Sequence, residues 1–315
     1  MGALLSLAFP PEGVGMARVV RSNQAAPLLE VCAFEPLDAA DPQALARLVR
    51  RHQCEATPCA LVAAPDAYSL LLVEAPQVPP DELKAAVRWR IQDLIDFHID
   101  DAVIDVFDVP AKKGAARTRM MYVAAARVPV IRRQTELVQG ARLDLEVIDI
   151  PELAQRNVAA QLAEDVAGVA LLHLSGASGL ITVTRQSTLY LARRFELGTE
   201  ALDAPLAFDG SSGDAAEGGA AAPEPWLDSL VVEVQRSLDY YESNFAQPPI
   251  SALVIGPLAE PVPRMTGYLS EQLGIGVRLL DLNSVIDCSE PLDESLQARC
   301  FPAIGGALRL EARTL

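Results

Sequence analysis

The chain has 315 residues, half of them hydrophobic and only 5% aromatic, with a formal net charge of −16. That length exceeds one compact core and suits two lobes with subdomains, their interiors built mainly from Ala, Val, Leu and Ile. The acidic excess repels phosphate backbones and anionic lipid, so direct binding to nucleic acid or a membrane surface is disfavoured and a basic partner segment is steered inward.

The chain opens with a strand from Ala3, a Pro-Gly turn (Pro10, Pro11, Gly13, Gly15) and a second strand through Val19 and Val20. A third strand is expected at Leu28 to Phe34. Leu45, Leu48 and Val49 recur at helical spacing over Pro42 to His52, behind Asp41 as N-cap. A strand at Cys59 to Ala63 closes this unit. Tyr68 to Glu74 reads as a strand, and Pro79-Pro80-Asp81-Glu82 starts a helix in the way the helix dipole favours. Its buried face is expected at Leu83, Val87, Ile91, Leu94 and Ile95, with the helix running on to Phe97. Strands at Ala102 to Val109 and Thr118 to Ala125, a helix at Val130 to Gln139 and a strand at Leu143 to Ile148 complete a β-α-β-β-α-β block. Pro151 to Leu162 reads as a helix leading out of it.

The second half repeats the strand-turn-strand plan, with Gly168 to His173, the turn Ser175-Gly176-Ala177-Ser178-Gly179, and two strands through Leu180 to Phe195. Asp209 to Pro225 is rich in Gly, Ala, Ser and acids and is expected to be a flexible, protease-sensitive loop. A long helix follows from Trp226 to Phe245. Strand Ala252 to Ile255, helix Pro263 to Leu273, strand Val277 to Leu280 and a helix containing Ala303 to Leu310 finish the chain. The pattern predicts a duplicated, two-lobed α/β fold.

Four stretches carry a resemblance: LLVEAPQVPPDELKAAVRWRIQDLIDF (71–97), VIDIPELAQRNVA (147–159), LVVEVQRSLDYYESNF (230–245) and PAIGGALR (302–309). In this order they resemble the pilus assembly proteins of the PilM group, and especially the MshI branch of MSHA pilus biogenesis. The resemblance implies a two-lobed actin-like fold of the cell-division-protein type with an inserted α+β subdomain. It places the first lobe at 1–63 plus 148–168, the inserted subdomain at 64–147 and the second lobe at 169–315. It further implies a cytoplasmic scaffold that docks the cytoplasmic N-terminal tail of an inner-membrane pilus subunit, in a groove between the first lobe and the inserted subdomain. An ATP-switched member of the same fold and a type II secretion scaffold are the alternatives.

Family members bind ATP between the lobes, where two Gly-rich hairpins, each opened by an acid, cradle the phosphates. In this chain the first hairpin (6–15) has no acid at that place, and Pro10-Pro11 remove two amide donors. The second (171–179) carries His173 and Leu174 where an Asp is expected, although Ser175 and Gly176 keep amides. The family's Gly-Gly adenosine loop becomes Ile255-Gly256-Pro257-Leu258. In the long helix Glu233, Arg236 and Tyr240 share a narrow arc, where the family places adenosine contacts. The same spacing describes an ordinary Glu–Arg helix pair worth about 0.2–0.5 kcal/mol. The candidate residual nucleotide site is therefore Glu233, Arg236, Tyr240, Ser175, Gly176 and Gly256. No cofactor is required, and ATP is the one candidate ligand.

The remaining features point to no catalysis. There is no P-loop, and SGASG is a hairpin turn rather than a nucleophile elbow. Cys32, Cys54, Cys59, Cys288 and Cys300 show no CxxC spacing and are expected to be reduced thiols. His52 beside Cys54 reads as a surface histidine near an ordinary thiol. Asp93, Asp96, Asp100, Asp101 and Asp105 lack calcium-loop spacing and read as a solvated face. Trp89 falls off the main apolar stripe, and packing within the chain is expected for it. The first ten residues lack a signal-peptide pattern, and no run of about 18 apolar residues exists.

Overall fold

The computed structural model describes residues 2–21, 26–36, 41–110, 119–200, 225–260 and 262–310. Two sheets of matching topology form its core. In the first, β1 (Gly2–Ala8), β2 (Val14–Arg21) and β3 (Leu28–Glu35) make an antiparallel meander, and β4 (Pro58–Val62) pairs parallel to β1. Between them runs α1 (Pro42–Arg51), capped by the Asp41 carboxylate, which accepts from the Gln43 amide at 2.8 Å. Alternation splits β1 between two layers. Leu5 and Leu7 face α1, whereas Ala8 faces the core shared between the lobes.

The expected β-α-β-β-α-β block divides in two. β5 (Tyr68–Glu74), α2 (Leu83–Ile91), β6 (Ala102–Val109) and β7 (Met120–Arg127) form a separate three-stranded sheet, ordered β5-β7-β6, with α2 on one face. The remainder, α3 (Val128–Gly140) and β8 (Asp144–Asp149), returns to the first lobe: β8 pairs parallel to β4, and Val138 of α3 packs with Leu45 and Leu48 of α1. The boundary 64–147 is therefore too long at its C-terminal end. The apolar residues of α3 meet α1, and a parallel β4–β8 pair needs α3 as its crossover. α2 also stops at Ile91 instead of Phe97. Asp93 and Asp96 would place negative charge at the negative end of the dipole. Leu94, expected in the buried face, is 58% exposed as a result.

The second sheet repeats the plan of the first. β9 (Val169–Ser175), β10 (Ser178–Arg185) and β11 (Thr188–Phe195) form the meander, and β12 (Ala252–Ile255) and β13 (Gly276–Leu279) add in parallel, giving the order β11-β10-β9-β12-β13. α5 (Pro225–Asn244) and α6 (Met265–Leu273) cover one face with Leu230, Val234, Leu238 and Leu269. The loop expected at Asp209 to Pro225 lies outside the described residues, apart from Pro225, which starts α5.

Two helices exchange between the lobes. α4 (Pro151–Ala159) leaves the first lobe and lies against the second sheet, where Gln155 Nε2 donates to the Leu171 carbonyl and to Thr182 Oγ1. The segment after β13 does the reverse. β14 (Asp287–Cys288) pairs with β3, and α7 (Glu294–Ala307) packs Phe301 and Ile304 against Ala17 and Val19 of the first sheet. Residues 169–315 therefore do not all stay with the second lobe, because the apolar face of α7 is complementary to the first sheet. α7 reaches back well before the stretch Ala303 to Leu310 that the expected helix was to contain and ends at Ala307, with Pro302 inside it. Near its C-terminal end, Arg309 donates to the buried Asp149 carboxylate at 2.7 Å.

Candidate functional site: the interlobe cleft

A cleft of about 430 Å³ opens where the two hairpin turns face each other. Pro10 and Glu12 enter from the β1–β2 turn, and His173 to Gly176 from the end of β9. Trp226 enters from the first turn of α5, Pro257 to Glu260 follow β12, and Arg299 comes from α7. Of the six sequence-derived candidates, Ser175 and Gly176 line this cleft, and Gly256 immediately precedes its wall at Pro257. Glu233, Arg236 and Tyr240 do not line it. The Glu233 carboxylate is held instead by Arg193 of β11 and by Arg236 at 3.1 Å.

Two backbone donors beside this cleft are committed. The Gly13 amide closes its own turn on the Pro10 carbonyl at 3.1 Å, and the Gly256 amide donates to the Leu172 carbonyl at 2.6 Å. Gly176 sits at φ 52°, the left-handed region a two-residue hairpin requires. Its carbonyl accepts from the Glu200 amide at 2.9 Å, and a Cβ on Gly198 would lie 2.2 Å from the same oxygen. The segment after β11 therefore lies directly against this turn.

His173 stacks on Phe301 with ring centroids 4.5 Å apart, and its Nδ1 has no hydrogen-bond partner among the described residues. Burial pushes the imidazole down to about 4, so it is neutral at pH 7. The unfolded chain takes up the proton first as pH falls from about 6.5, so folding stability drops by roughly 2–3 kcal/mol by about pH 4. His173→Phe removes this dependence. Urea unfolding of both proteins across that range should show the variant gaining on the wild type as pH falls; a constant difference would contradict the assignment.

Sequence reasoning missed a second polar centre, where three parts of the molecule meet. Glu152 of α4 is 2% exposed, pairs with Arg194 of β11 at 2.7 Å and accepts from the Tyr68 hydroxyl at the start of β5. Arg194 also donates to the Tyr68 hydroxyl and, at 2.7 Å, to the Pro65 carbonyl, with its guanidinium 4.9 Å from the centre of the Tyr68 ring. Burial and the neighbouring Glu152 raise the Tyr68 phenol well above its ordinary value, so it stays a donor. The only sequence signal was Glu152 within the quoted stretch 147–159. Beside it, the inserted sheet packs its second face, with Leu70, Leu72, Phe107 and Tyr122, onto the second lobe, and the Tyr122 hydroxyl accepts from the Ala192 amide at 3.1 Å.

Other expectations resolve by geometry. Cys54 is buried, and His52 beside it is half-buried. Asp96 pairs with Arg127 and Asp105 with Lys84, both at 3.1 Å, and among the described residues no group of three or more His, Cys, Asp or Glu could hold a metal ion. The expected intramolecular packing of Trp89 is incorrect. Its side chain stands on the outer face of α2 and is 75% exposed, because Val87 and Ile91 take the inward positions. Among the described residues no helix is long and apolar enough to cross a membrane.

A family model described as type IV pilus assembly protein PilM matches residues 44–310. Among solved structures, the chain is similar to that of a PilM–PilN type IV pilus biogenesis complex, with 21% identity, 97% of each chain covered and a TM-score of 0.73. It is also similar to a Bacteroides thetaiotaomicron protein with an actin-like ATPase fold and unknown function, with 8% identity, 90% of this chain and 92% of that chain covered, and a TM-score of 0.50. No curated protein matches the chain. These similarities and the paired sheets give the two-lobed actin-like α/β fold.

Proposed function

The chain belongs to the family of the type IV pilus assembly protein PilM, and from that premise we propose that it is a scaffold that holds an inner-membrane pilus subunit and does not turn over ATP. The stretches 71–97 and 230–245 support placing it in the MSHA branch. The partner is an inner-membrane subunit, and the similar solved structure is a complex of PilM with PilN. In this reading the subunit's cytoplasmic N-terminal tail enters between the first lobe and the inserted subdomain, and the protein sits at the cytoplasmic side of the membrane through that contact.

The observation that carries the scaffold reading is the make-up of the interlobe cleft. Hydrolysis needs a magnesium–phosphate complex and a positioned water, normally organised by an acid at each phosphate turn. The second turn offers neutral His173 and Leu174, and the first offers only Glu12 after two prolines. A triphosphate would face the carboxylates of Glu12 and Glu260 with Arg299 as the one cation among the lining residues. The residues present do not fit magnesium–ATP. Glu233 and Arg236 lie outside the cleft lining, so they would touch an adenosine only where it reached beyond that lining along α5.

The test is a pair of calorimetric titrations, with ATP and magnesium and with a synthetic peptide of the partner's N-terminal tail, alongside phosphate release. Expected are no phosphate release above background, weak or absent ATP heat that falls further in Arg236→Ala, and saturable peptide binding. Steady phosphate release abolished in Glu12→Gln would overturn the scaffold reading, as would a peptide that fails to bind.

A further inference from the structure

α2 covers one face of the inserted sheet, and the second lobe covers the other. Val87 and Ile91 are fully buried beneath α2, and at 100° per residue Trp89 points almost directly away from them. Arg88 reaches one side, donating to the carbonyls of Ile99 and Ala102, and Arg90 reaches the other, toward Glu74. Trp89 therefore stands alone at the apex, 75% exposed, above the exposed Ala85 and the half-buried Ala86. Tryptophan is highly buried on average, so an indole this exposed is open to a partner.

Charge identifies the chemistry of that partner. Residues 79–105 carry seven carboxylates against three cationic side chains, and all three cations are engaged, with Lys84 on Asp105 at 3.1 Å. Glu82 and Asp93 are exposed, lie just before and just after α2, and form no ion pair among the described residues. We propose that the outer face of α2 is a second docking surface, which receives a basic segment of another protein by placing a guanidinium or ammonium on the Trp89 indole between the Glu82 and Asp93 carboxylates. An indole is the strongest aromatic acceptor for a cation, the small alanines leave a flat shelf beside it, and the two carboxylates fix the charge. An anionic lipid surface would be repelled by the same carboxylates. The surface lies on the side of the inserted sheet away from the second lobe, and it does not depend on the tail-docking reading.

The test uses the full chain and a short synthetic helical peptide with arginines along one face, beside its counterpart with glutamates at those positions. Calorimetry at low salt should show the arginine peptide alone binding. Affinity should fall on the order of tenfold in Trp89→Ala and by a similar factor in Glu82→Lys/Asp93→Lys. Trp89 is exposed, so the variant should unfold at the wild-type urea midpoint. Affinity unchanged in Trp89→Ala would overturn the proposal. So would sedimentation showing self-association that Trp89→Ala abolishes, or Trp89-dependent pelleting with anionic vesicles, because the occupant would then be a second copy or a membrane.

Discussion

Arg194→Ala is expected to destabilise the protein by about 3–5 kcal/mol, far more than an ordinary surface pair, because it strands the Glu152 carboxylate. Glu152 is 2% exposed, and its two partners are Arg194 and the Tyr68 hydroxyl. Without the guanidinium, one phenol would have to solvate a buried charge. Exposed ion pairs contribute only about 0–1 kcal/mol, so the two cases are well separated. Glu152→Gln/Arg194→Leu should recover most of the loss, since no charge then remains buried. The loss should also be local. Tyr68 begins β5, Glu152 lies on α4 and Arg194 on β11, so the cluster ties the inserted sheet to both lobes. Urea unfolding measures the first effect. Hydrogen exchange over Tyr68–Glu74 measures the second, with protection in β5 falling before that in β1. A cost under about 1 kcal/mol would mean that water reaches Glu152 and that the junction does not hold the subdomain.

The parts of this fold that were legible in the sequence share one property: their buried positions repeat at the period of their own element. β1, α1 and β9 read correctly because Leu5 and Leu7 alternate, Leu45 and Leu48 recur on one face, and Leu171 and Leu172 feed opposite layers. The duplication of the two sheets was visible in two strand-turn-strand openings. What failed was assignment between layers. Periodicity gives α3 a buried face but not its neighbour, so its packing on α1 had to be seen. Pro302 concealed the first half of α7, whose exchange with α4 joins the lobes. The residue types at the two cleft turns were legible in the sequence. The junction of Tyr68, Glu152 and Arg194 was not, because its members lie 84 and 126 positions apart from Tyr68. Each of them alone resembles a surface polar residue.

Gly305→Ala should lower stability by about 3 kcal/mol, whereas Gly267→Ala should raise it by up to about 1 kcal/mol. Both glycines sit inside helices, where alanine is intrinsically the better helix former, so propensity alone gives the same sign to both. Packing separates them. A Cβ on Gly267 of α6 would meet nothing within 4 Å. A Cβ on Gly305 of α7 would lie 2.4 Å from the Ala154 carbonyl oxygen and 2.7 Å from its carbon. Those atoms are backbone of α4 and cannot rotate aside, so the two exchanged helices would have to separate. Asn157 donates to the Gly305 carbonyl at 2.9 Å, and that bond would stretch as they part. Gly306 is the intermediate case. Its Cβ would meet Ser6 Oγ at 2.3 Å and Val62 Cγ2 at 2.7 Å, both side-chain atoms with some freedom, so Gly306→Ala should cost less than Gly305→Ala. Urea midpoints for the three variants should fall in the order Gly267→Ala, Gly306→Ala, Gly305→Ala. A Gly305→Ala protein at least as stable as wild type would show that α4 and α7 do not approach this closely, and the joint between the lobes would then need another account.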